Sequence, residues 1–174
     1  MQEVAERKRN ENIGEYIVYM YQMEDLIRAY DFDMEALQQY LVSHYPIEDR
    51  EKAEVTHWFK DLAGEMEKAG IRESGHLPAV QRIVNELARL HWGLLKEDKA
   101  YFQIYQEAKP FVVDHVLAAD GQEVGHEIQV CVNGIYGLLL CRLHGKKVDE
   151  ELLNAAEKFG KVLGYLSHCY PGKR

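Results

Sequence analysis

Glu24, Asp25 and Arg28 are the charged residues whose setting and spacing most invite chemistry. They lie in Tyr16–Tyr30, YIVYMYQMEDLIRAY, a segment that also holds four tyrosines. Ile13, Ile17, Met20, Glu24 and Ile27 follow the 3–4 spacing of a buried helical stripe, which places a carboxylate within an apolar surface. Arg28 follows Glu24 by four residues, a spacing that allows an ion pair on one helix. Exposed, such a pair contributes little. Partly buried, it cannot lose one partner without leaving the other charge unpaired. Asp25 lies about 100° round the helix from Glu24, towards solvent or another helix. The hydroxyls of Tyr16, Tyr19, Tyr21 and Tyr30 can donate to these carboxylates. Two readings follow. The group is a polar knot that fixes helix register, or it walls a ligand pocket or partner surface. In the second case the ligand-binding set is Tyr16, Met20, Glu24, Arg28 and Tyr136.

Metal chemistry is a weaker option. Ferritin-like bundles hold two metals with single glutamates from two helices and a Glu-x-x-His from each of two others. Glu54 and His57 have that spacing, as do Glu123 and His126, with Glu24 and Glu86 as the single carboxylates. A chain this rich in glutamate supplies such spacings by chance, and Glu123 and His126 flank the helix-breaking Gly125. No metal ligand and no cofactor is therefore assigned. His91 and His115 sit on apolar stripes, where a histidine bonded to a carbonyl or tyrosine is the simpler expectation. His168 and Cys169 are adjacent, so on a helix their side chains point about 100° apart and do not form a nucleophile–base pair. No phosphate loop, G-x-S-x-G or H-E-x-x-H pattern occurs. No catalytic residue is assigned, and the chain leans away from being an enzyme.

The elements that position these residues are helical throughout. A first helix runs from about Asn12 to Tyr30. Asp33 caps a short second one that ends before Pro46. A third starts near Glu48 with a stripe of Val55, Trp58, Phe59, Leu62, Met66 and Ala69, and Gly70 closes it. Pro78 opens a fourth, whose stripe runs from Val80 through Ile83, Val84, Leu87 and His91 to Leu94 and Leu95. A fifth, about Asp98 to Ala119, contains Pro110, which should kink or split it. The sixth is the apolar run Glu127–Leu143. Asp149 caps a seventh with a face of Leu152, Ala156, Phe159, Leu163 and Leu166. The expectation is an all-α, single-domain bundle over residues 1–174, with about six to seven helices and mostly antiparallel neighbours. Gly134 and Gly137 on the sixth helix, with Gly160 and Gly164 on the seventh, predict a close backbone-to-backbone approach, since each mid-helix glycine costs about 1 kcal/mol against alanine. Replacing Gly137 with leucine would then unfold the protein. The other possibility is that these glycines clear space for a ligand.

The net charge of −8 argues against a nucleic-acid partner, which needs clustered Lys and Arg. Arg7-Lys8-Arg9 reads as a solvated helix face. No apolar run reaches the length of a membrane span, and Ile128–Leu143 is broken by Gln129, Asn133 and Arg142. The polar N-terminus carries no secretion signal, and three unpatterned cysteines suit a reducing cytoplasm.

The block YMYQMEDLIRAY, with Asn133-Gly134-Ile135-Tyr136-Gly137-Leu138-Leu139, resembles a family of uncharacterised bacterial proteins known only as a domain of unknown function. The resemblance covers essentially the whole chain. It implies a cytoplasmic, all-helical protein and supplies no activity or catalytic residues. Three functions remain. The first is a non-enzymatic interaction or scaffolding module, partnered by another protein or by itself as a homodimer. Its surface would be the Tyr-rich first helix or the apolar sixth. The second is a small-molecule binder or sensor with a pocket around Glu24 and Arg28. The third is the di-metal carboxylate bundle.

Overall fold

A computed structural model describes residues 1–171. Among them are eight α-helices, one 3-10 turn and no strand. The additional helix is α1, Gln2–Glu11, which lacks an apolar stripe because Ala5 is its one buried residue. Asn12 has an extended backbone that ends α1, and its side chain accepts the Glu15 N–H to cap α2, Ile13–Ala29. One residue therefore separates two helices. Arg7 and Arg9 are exposed as expected, while Lys8 is half-buried and pairs with Glu15.

Helix α2 ends where Asp31 and Phe32 take positive φ values of 49° and 62°. Asp33 then caps α3, Met34–Tyr40, through two backbone N–H groups. A 3-10 turn, Val42–His44, leads to α4, Asp49–Lys68. There the Glu51 carboxylate reaches back to the Glu48 N–H, half of a capping box. Pro78 opens α5, Pro78–Glu97. Asp98 caps α6, Lys99–Ala118. Pro110 does not split α6, which runs unbroken through it. Its ring is exposed, so its missing N–H leaves the loss on the solvent side. Helix α7 is Glu127–Leu143 and α8 is Glu150–Cys169, capped by Asp149.

One cluster of buried side chains runs from Ala5 to Leu166 and takes in every helix. Tyr21, Phe59, Tyr101 and Phe159 are its largest fully buried members. The predicted stripe of α2 is buried throughout, Glu24 included. The α4 stripe is buried at Val55, Phe59, Leu62 and Met66, while Ala69 is exposed.

Helices α7 and α8 pack extensively on one another, but the glycine contact differs from expectation. A Cβ on Gly134 would sit 2.5 Å from the Phe159 ring, so the absent side chain there lets an aromatic edge lie on the backbone of α7. At Gly137, Gly160 and Gly164 a Cβ would meet nothing within 4 Å. The contact is therefore ring-to-backbone at one position. The close approach on which the expectation for leucine at Gly137 rests is absent, because a Cβ there meets nothing within 4 Å.

Candidate functional site

The carboxylate of Glu24 is fully buried, and both oxygens are occupied. The Leu77 N–H donates to Oε1 at 2.9 Å and His76 Nδ1 lies 2.7 Å from Oε2. An ionised carboxylate only accepts, so Nδ1 carries the proton. The His76 ring stacks on Tyr21 with centroids 3.5 Å apart and planes 7° from parallel. Glu24 thus ties the α4–α5 connection to α2 just before α5 begins, where a negative charge also suits the helix dipole.

Arg28 does not pair with Glu24. Its guanidinium bonds Asp25 at 3.0 Å, the i,i+3 neighbour, and donates to the carbonyls of Ile71 and Gly75. The i,i+4 pair fails because Glu24 points into the core, whereas Arg28 must reach the connection beside it. Asp25 accepts a second bond, from the Tyr136 hydroxyl at 2.6 Å. Burial first, and then the hydrogen bond to Asp25 and the nearby carboxylates, raise the Tyr136 phenol well above its usual range, so it stays a donor. Burial pushes Tyr21 up to about 12, with Gln129 opposing and Glu24 adding to the rise.

Gln129 extends the network. It donates to Tyr21 at 3.0 Å and to Asn133 at 2.9 Å, and accepts from Gln81. His126 accepts the Gln129 N–H, capping α7, and contacts Asn85 across to α5. Polar side chains therefore stitch α2, α5, α7 and the α4–α5 connection together.

Of the five residues assigned to ligand binding, Glu24, Arg28 and Tyr136 come together. Met20 lies in the core. Tyr16 is half-buried beneath the Arg9 guanidinium, 5.8 Å from its ring centroid. None of the clefts described below is lined by any of the five. His76 and Gln129 escaped the sequence reading. His76 is a loop residue 52 positions from its partner, and no local spacing announces it.

The metal-spaced residues stay apart. Glu54 pairs with Arg50 and His57 with Asp61 on the exposed face of α4. Glu86 accepts from Tyr170, and Glu24 is occupied. Among the described residues, no three His, Cys, Asp or Glu side chains converge as a metal site requires. His91 is buried against Tyr101 at 2.6 Å, and burial lowers it to about 4, partly opposed by Glu127. Cys131 is buried, and its thiol is pushed up to about 12.

A different feature lies further along α2. A groove of about 410 Å³ runs between α2, α7 and α8. Val18, Tyr19, Ile135, Leu139 and Leu163 wall it, Gly14, Gly160 and Gly164 line it, and Lys8 and Glu15 stand at its end near α1. Gly14 has a reason inside the protomer, since its N–H donates to the buried Ser167 hydroxyl and a Cβ would crowd that oxygen at 3.1 Å. Gly160 and Gly164 have none. The sequence signal for this groove was the pair of glycines itself.

A family described as "Domain of unknown function (DUF4924)" matches residues 2–174. The chain belongs to this family. No curated protein and no solved structure matches the chain. Membership covers essentially the whole chain and assigns no chemistry. Among the described residues, no helix is long and apolar enough to cross a membrane.

Proposed function

We propose that this protein is a non-enzymatic interaction module that pairs with a second copy of itself, the whole chain, 1–174, acting as one domain in the cytoplasm. The observation that carries this reading is the pair Gly160 and Gly164. They lie mid-helix on α8, one turn apart, exposed and lining the groove. Each costs about 1 kcal/mol against alanine, and nothing within 4 Å accounts for either. Bare backbone lining an apolar groove allows a partner helix to approach closely. At the end of the groove Lys8 and Glu15 neutralise each other, 2.7 Å apart, so the patch that two copies would bring together across a two-fold carries no net charge. Three free cysteines are in keeping with a reducing compartment.

The polar knot supports the same reading by subtraction. Glu24 has no free oxygen, and Arg28 is engaged with Asp25 and two carbonyls. Its role is to hold the α4–α5 connection.

Light scattering after size exclusion tests the proposal across a concentration series. The expected mass is twice the chain's 20.2 kDa. Gly164→Leu, whose added side chain enters the groove, should return a folded monomer whose melting temperature is no lower than that of the wild type at a concentration where the wild type is monomeric. A wild-type protein that keeps the monomer mass at every concentration overturns the proposal.

A further inference from the structure

On the opposite side of α7 from the groove, two clefts of about 320 and 300 Å³ meet at His115 and Leu152, which line both. The first cleft lies between α6 and the start of α8 and is edged by Asp114, Asp149 and Glu151. The second runs along α7 past Val130, Gly134, Gly137 and Cys141 and is apolar but for Asn133 and the shared His115. No Lys or Arg lines either one. One end of this double cleft is therefore anionic and the other greasy.

His115 stands at the junction with its ring fixed. Its Nδ1 lies 2.8 Å from the Phe111 carbonyl. A carbonyl only accepts, so Nδ1 holds the proton and the neutral ring keeps a lone pair at Nε2. The ring is also set edge-on to Phe159, centroids 5.2 Å apart. Nε2 lies 3.6 Å from where a Gly134 side chain would begin, against α7. Further along, Gly137 leaves space that no residue fills, although a helix-interior glycine is disfavoured. Gly134 is explained by Phe159, and Gly137 is not.

We propose that His115 marks a binding site for an organic ammonium ion, a primary amine on an apolar body. The ammonium group donates to Nε2 and faces the carboxylates of the first cleft. The apolar body lies over Gly137 in the second, towards Cys141. The combined volume falls within the range of small-molecule sites. This assignment is independent of self-association, because the α8 groove lies elsewhere and shares no lining residue with either cleft.

Calorimetry with 2-phenylethylamine tests it, with 2-phenylethanol as the neutral isostere and phenylacetate as the anion. The amine should bind saturably with one site per chain, about fivefold or more tighter than the alcohol, and phenylacetate should not bind. Gly137→Leu fills the second cleft and should abolish amine binding without lowering the melting temperature. The double variant Asp114→Asn, Glu151→Gln should keep binding but lose the preference for amine over alcohol. No saturable amine binding overturns the proposal. So does equal binding of amine and alcohol by the wild type, which would leave an apolar cavity with no cation preference. Unchanged amine binding by Gly137→Leu also overturns it, since the body would then lie elsewhere.

Discussion

The Glu24 knot and the α8 glycines are both energetically costly features, and they differ in where the cost is offset. A fully buried carboxylate loses its hydration, but Glu24 recovers two hydrogen bonds within the same chain, one of them from a histidine. Gly160 and Gly164 give up helix stability, and no contact within the chain accounts for it. The comparison separates architecture from function. A costly residue whose partners are all internal is holding the fold. One whose neighbourhood is empty and which lines a groove, as Gly160 and Gly164 do, is on the proposed reading the place where a partner helix sits. Gly134 and Gly137 repeat the contrast within a single helix: Phe159 explains the first, and open cleft surrounds the second.

The largest effect should come from breaking the knot. Glu24→Ala leaves the Leu77 N–H and the His76 ring without their acceptor and should cost about 3 kcal/mol or more of stability, read by denaturant unfolding. A loss of only a few tenths would mean the knot is incidental, and the distinction drawn here would lose its first half.

His91 sharpens the comparison through pH. Burial lowers it from 6.5 to about 4, so the folded protein keeps it neutral while the unfolded chain takes up a proton below 6.5. Its contribution is complete above 6.5 and is lost as pH falls towards 4. The shift of about 2.5 units corresponds to roughly 3 kcal/mol by pH 4. A His91→Gln variant should be less stable at pH 7 and show a flatter decline between pH 6.5 and 4.5. Parallel curves for variant and wild type would place the acid sensitivity elsewhere.

These internal features were partly legible in the sequence. The burial of Glu24 follows from its place in the α2 stripe, and the bounds of α7 follow from Gly125, Gly145 and its apolar run. Helix α1 was missed because amphipathicity is the signal for a helix, and a helix with one buried residue does not carry it. The i,i+4 spacing offers Arg28 as a partner for Glu24 because spacing along one helix is local information. His76 and the Ile71 and Gly75 carbonyls arrive from a loop after α4 has run its length. The glycines were recognised as significant, yet sequence cannot show which neighbour is absent. Only packing distinguishes Gly134, against a ring, from Gly164, against nothing.

The most direct measurement is a pair of melting curves, for Gly134→Ala and for the double variant Gly160→Ala, Gly164→Ala, recorded at a concentration where the protein is monomeric. Gly134→Ala should lower stability by about 1–3 kcal/mol through overpacking against Phe159. The α8 double variant should raise it by about 1–2 kcal/mol, because alanine favours the helix and meets no neighbour. Opposite signs are the predicted result. A double variant that destabilises the monomer would contradict the account, because the α8 glycines would then serve the fold and not a partner.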